Sequence, residues 1–86
     1  MDVEEQEDVI LSIHFTEDET HTVAVARLDL HGDQFEATGR ARRNPKDPPR
    51  PLIGEELAIA RALHSLQHQL TEAAQDKIDG FLDHEI

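Results

Sequence analysis

Apolar and polar residues alternate in three stretches of this chain and then switch to a helical period. Over residues 9–16, Val9, Leu11, Ile13 and Phe15 share one side, and Ile10, Ser12, His14 and Thr16 share the other. That period of two marks a half-buried strand. Residues 21–31 set Ala24, Ala26, Leu28 and Leu30 against Val23, Val25, Arg27 and Asp29. Residues 34–43 set Phe35, Ala37, Gly39 and Ala41 against Glu36, Thr38, Arg40 and Arg42. A polar turn, Glu17 to Thr20, separates the first two strands, and Gly32-Asp33 makes a tight hairpin between the second and third.

Turn length sets register, so the two turns test each other. With Asp18-Glu19 as a two-residue turn, Phe15 faces Thr22, Ile13 faces Ala24 and Leu11 faces Ala26. With Gly32-Asp33 as the other, Leu30 faces Phe35, Leu28 faces Ala37 and Ala26 faces Gly39. Both registers put the apolar sets on one face of an antiparallel meander, strand order 1-2-3. That face is lined by small residues, Ala24, Ala26, Ala37, Gly39 and Ala41, which leave a void unless something lies close above them.

A helix supplies the cover. Ile59, Leu63, Leu66, Leu70 and Ala74 recur at helical spacing, flanked by Ala58, Ala60 and Ala62. Alanines on the helix match the small residues of the sheet, and the larger chains of strand 1, Leu28 and Leu30 are expected to fill the sides. Gly54 is the expected cap, with Glu55 and Glu56 in the first turn where the helix dipole favours acids. A helix over 54–70 spans roughly 26 Å, about the length of an eight-residue strand at roughly 27 Å. Residues 71–86 then overhang, either continuing the helix or folding back, with Gly80 as the expected stop.

The expected fold is therefore α+β, one domain over residues 1–86: an acidic lead (1–8), three strands, a proline-rich arm (44–53) and a long C-terminal helix. Composition narrows the class further. Eighty-six residues with 37% hydrophobic content can bury only a modest core, which gains from a partner surface. The absence of cysteine removes disulfides and thiolate metal ligation. No apolar run approaches the roughly 18 residues of a membrane span, and the acidic start is unlike a secretory signal. A cytoplasmic location is the expectation.

The net charge of −11 is unevenly spread. Arg40, Arg42, Arg43, Lys46 and Arg50 are five of the eight cations, and Asp47 is the one acid among them. Residues 40–50 thus carry +4 and the rest of the chain −15. The arm is either an anion-binding site or a segment neutralised by the protein's own acids. Without an aromatic residue to stack bases, nucleic acid is the weaker ligand class. His64 and His68 share a helix face, but no third ligand is placed beside them, and they read as solvent-side residues. His14, His21 and His31 stand apart, and no catalytic, metal or cofactor constellation emerges. On the uncovered sheet face, Ile10, Val23 and Val25 join Phe81 and Leu82 of the overhang as candidate self-association residues.

The strand pair, the run Ala41-Arg42-Arg43-Asn44-Pro45 and the segment from Ile53 to Leu70 resemble a small bacterial family. Its members are described as dsRBD-fold-containing proteins or as a domain of unknown function. The resemblance covers residues 8–75 and implies a three-stranded antiparallel sheet with a helix across one face, dsRBD-like without the N-terminal helix. It implies no activity. Double-stranded RNA binding of the usual kind needs an N-terminal helix, a contact loop and a lysine cluster opening the last helix. This chain has an acidic lead, Glu17-Asp18-Glu19 and Glu55-Glu56 at those three places.

The leading functional reading is a non-enzymatic module acting by self-association or protein binding, with a homo-oligomer, first a dimer, as the expected state. The alternative is an anion- or nucleic-acid-binding protein using the arm. A small enzyme or accessory subunit comes third.

Overall fold

The computed structural model describes residues 4–85 apart from Pro45, Asp47 and Pro49. Three strands, β1 (Leu11–Glu17), β2 (His21–Leu30) and β3 (Asp33–Arg42), form an antiparallel sheet in the order β1-β2-β3. One helix, α1 (Pro51–Glu85), crosses a face of it. The α+β meander with a covering helix is thus as the alternation predicts.

Both turns differ from expectation, and each shifts the register by two residues. Phe15 pairs with Ala24, Ile13 with Ala26 and Leu11 with Leu28. The β1–β2 connection runs over Asp18–Thr20 rather than closing at Asp18-Glu19. Its shape comes from Asp18, whose carboxylate accepts from the Thr20 and His21 amides at 2.8 and 2.7 Å. Across β2–β3, Leu28 pairs with Phe35, Ala26 with Ala37 and Ala24 with Gly39. There the turn residues are His31 and Gly32, both left-handed at φ 49° and 87°. Two successive positive φ values match the twist of a two-residue hairpin, and His is among the residues that tolerate them. A shift of two leaves every side chain on its predicted face.

The core is made of the smallest side chains. Ala24, Ala26, Ala37 and Ala41 of the sheet meet Ala58, Ala62 and Leu66 of α1, all buried. Among the described residues, no large side chain is fully buried. At Gly39 the approach is so close that a β-carbon would lie on the Ala58 carbonyl oxygen and the Ala62 nitrogen. The expected close packing of small residues on both sides is therefore present.

α1 starts earlier and runs longer than expected. Its first residue is Pro51, which suits that position because its φ is preset and its missing N–H needs no partner. The Arg50 carbonyl accepts from the Ile53 and Gly54 amides at 3.1 and 3.4 Å. Gly54 is therefore inside the helix, where its bare Cα lies over buried Thr22. Glu55 and Glu56 fall in the second turn. Nor does Gly80 end the helix, which continues to Glu85. Lys77 still reaches the β2–β3 hairpin, at 3.4 Å from Asp33, and the overhang begins beyond it. The radius of gyration, 18.0 Å, exceeds the roughly 12 Å of a compact chain this long.

Candidate functional site

Two regions compete for function. The first is the basic arm. A cleft of about 560 Å³ opens where the β1–β2 turn, the end of β3, the arm and the start of α1 converge. Arg42, Arg43 and Arg50 line it, together with Ile53, Gly54 and Leu57. Lys46 and Arg40 do not. Arg40 points off the other sheet face, and its carbonyl accepts from the Arg61 guanidinium at 2.7 Å. Asp47 and Pro45 lie outside the described residues.

Of the three arginines lining the cleft, Arg43 is engaged in holding the structure. The Arg43 amide bonds the Thr20 carbonyl at 2.8 Å, and its side chain donates to the carbonyls of Glu19 and Asn44 at 3.0 and 3.3 Å. Arg43 thereby ties the β1–β2 turn to the arm. The same cleft is lined by Glu17, Asp18 and Glu19. Hydrogen bonds from the Thr20 and then the His21 amides hold Asp18 below its ordinary pKa. Loss of solvation, followed by a hydrogen bond to Glu17 and repulsion from it, pushes Glu55 up. Acids and cations are mixed at this end, so an anion would find no uniformly positive surface.

The second region was not singled out by sequence. The chains of β1 were expected to fill the sides of the core, yet every residue of β1 is exposed. Leu11, Ile13 and Phe15 point to the face that carries α1, as their partners Leu28, Ala26 and Ala24 require. They keep 42, 37 and 40% of their surface in solvent. The cause is width. Three strands at about 4.8 Å spacing plus their side chains need more cover than one helix roughly 10 Å across can give.

α1 lies over β2 and β3. It also closes the outer edge of β3, because Arg61 and Gln69 donate to the Arg40 and Glu36 carbonyls at 2.7 and 2.8 Å. Among the described residues, nothing bonds the outer edge of β1. By helical geometry, Ile59, Leu63 and Leu70 fall on the opposite flank of α1 from Arg61, turned toward β1. Ile59 and Leu70 still pack against the buried core, while Leu63 is exposed. A groove results, with Leu11, Ile13 and Phe15 as its floor and the helix flank as its wall. The signal available in the sequence was the strand count set against the helix count.

The other candidates are dispersed. Ile10, 75% exposed, precedes β1, while Val23 and Val25 are half-buried on the far sheet face. Phe81 and Leu82 are exposed on the overhang beside Ile78. His64 and His68 face solvent, and His68 sits 3.0 Å from Glu72. Among the described residues no three metal-ligating groups gather, and no helix is long and apolar enough to cross a membrane.

An α+β meander under a single long helix defines the fold class. The chain belongs to the Rv2632c-like family, whose model matches residues 7–86. The uncharacterized protein Rv2632c of Mycobacterium tuberculosis is 42% identical over 74 residues, covering 86% of this chain and 75% of the relative. The uncharacterized protein Mb1767 of Mycobacterium bovis is 36% identical over 69 residues, covering 80% and 73%. The crystal structure of Rv2632c superposes with a TM-score of 0.83 at 36% identity, over 90% of this chain and 92% of that one. The fold is therefore that of a solved relative, and these relatives' names assign no activity.

Proposed function

We infer that the chain is a non-enzymatic binding module that works through the apolar groove between β1 and α1. One observation carries this reading: the molecule buries its alanines and exposes Leu11, Ile13 and Phe15 on the face where its core lies. Contiguous exposed apolar surface of that kind marks an interaction site. The dsRBD resemblance stays architectural, because α1 opens with Pro51, Leu52 and Ile53 rather than a lysine cluster. Anion binding by the arm is disfavoured by the fixed position of Arg43 and by Glu17, Asp18 and Glu19 in the same cleft.

Self-association is the second reading, favoured by Ile78, Phe81 and Leu82 on the overhang. Sedimentation of the wild type beside Phe15→Lys and Leu82→Glu separates the two. A monomer in all three supports a groove kept for another protein. A dimer dissolved by Leu82→Glu supports helix pairing between copies. Loss of folding in Phe15→Lys would make the groove part of the core and end the binding reading.

A further inference from the structure

The groove has a shape and an electrical character that together specify an occupant. The floor is seven residues of strand, Leu11–Glu17, roughly 23 Å long. A helix of about 15 residues has the same length. A second helix packs 8–10 Å from the first, and the free side of α1 at that distance lies over β1. Leu63 and the edges of Ile59 and Leu70 would then contact it from the side. A single helix therefore completes the layer that α1 leaves half built.

The charge along the groove is mainly negative. Seven acids lie between Glu4 and Glu19, and no Lys or Arg precedes Arg27. Glu17 is the last residue of β1 and so stands at one end of the groove. At the other end the lead brings Glu7 to His31, at 3.5 Å. Arg42, Arg43 and Arg50 share the neighbouring cleft with Glu17, Asp18 and Glu19, where Arg43 is engaged by the Glu19 and Asn44 carbonyls. Arg27 pairs with Glu36 at 2.8 Å, Arg61 bonds the β3 edge, and Lys77 meets Asp33. A second copy supplies the wrong helix, since α1 carries seven acids against Arg61 and Lys77. Like charges across a contact select against such a partner.

We propose that the groove between β1 and α1 receives a cationic amphipathic helix from another protein. Its apolar stripe would seat on Leu11, Ile13, Phe15 and Leu63, and its Lys or Arg side chains would meet the acids at both ends. This rests on the binding-module reading and names the partner's chemistry. It is the helix-in-groove mode of recognition, where anchors at helical spacing enter an apolar trough.

The test uses the full chain and three labelled peptides of about 15 residues, followed by fluorescence anisotropy. One is a Leu/Lys helix with leucines on one face, one is its Leu/Glu counterpart, and one is a scrambled Leu/Lys sequence without an apolar face. The facial Leu/Lys peptide should bind saturably and more tightly than the scrambled one. Phe15→Lys and Leu63→Lys should each weaken it about tenfold. Thr38→Lys, the same charge change on the exposed opposite face, should weaken it far less. Circular dichroism confirms that each variant keeps its helix. Equal loss in Thr38→Lys, or equal binding of the scrambled peptide, would reduce the effect to bulk charge and overturn the proposal. Tighter binding of the Leu/Glu peptide, or a wild-type dimer dissolved by Phe15→Lys, would overturn the cationic partner and leave the binding module standing. If Phe15→Lys and Leu63→Lys change neither peptide binding nor sedimentation, both readings fall.

Discussion

The β2–β3 half of the sheet and its β1 half carry the same alternation of apolar and polar residues, yet α1 closes only the first. Under the helix the buried sheet residues are alanines, Thr22 and Gly39, and backbone meets backbone. Beside the helix the residues are leucine, isoleucine and phenylalanine, and they meet water. The edges differ in the same way, since α1 side chains bond the outer carbonyls of β3 and, among the described residues, nothing bonds the outer edge of β1. Small residues buried and large ones exposed is the reverse of the usual order. A close helix–sheet contact accounts for the first half. A surface meant to be covered by something else accounts for the second.

The contrast can be broken hardest at Gly39. In Gly39→Val the new side chain would strike the backbone of Ala58 and Ala62, which cannot move without displacing α1. A loss on the order of 3 kcal/mol is expected in chemical denaturation, enough to threaten folding. Ala58→Leu asks for volume in the same closed layer and should cost about 2 kcal/mol, read as a fall in Tm. A variant at either position as stable as wild type would show that helix and sheet are not in close contact.

Turn chemistry gives smaller effects with defined pH dependence. Asp18 is held below its ordinary pKa by the Thr20 and His21 amides. Its stabilising contribution is present above the ordinary Asp range near about 3.9 and is lost as pH falls through its lower folded value. Asp18→Ala should therefore be less stable than wild type at neutral pH, and the gap should close in acid. Glu55 is shifted the other way, by lost solvation and by Glu17. The folded chain holds its proton more tightly, so its contribution is full below the ordinary Glu range and is lost as pH rises through the folded value. Glu55→Gln should be modestly more stable than wild type at neutral pH, with the advantage fading toward about pH 4. Thermal melts across that range check both signs.

Most of the fold could be read from the chain because a strand's faces repeat every two residues. The registers expected from Asp18-Glu19 and Gly32-Asp33 were each off by two, and the small-residue face survived unchanged. The connections themselves were harder. Nothing in a pattern says that Asp18 will accept two amides, or that His31 rather than Asp33 will take the left-handed position. Gly54 and Gly80 drew attention as punctuation, but Pro51 starts the helix and neither glycine interrupts it.

The site was less legible than the fold. Charge drew attention to the arm, where Arg43 turns out to secure the β1–β2 turn. The groove stayed hidden because alternation tells which side of β1 is apolar and not whether anything covers it. Coverage depends on how many strands one helix can span, a property of the assembled layers rather than of any segment.

The most direct measurement sets stability and binding side by side in one variant. Phe15→Lys, placed on the open half, should lose clearly less stability than Ala58→Leu while losing the facial Leu/Lys helix. A drop in stability comparable to that of Ala58→Leu, or unchanged binding at unchanged stability, would contradict the division of this sheet into a closed core and an open docking face.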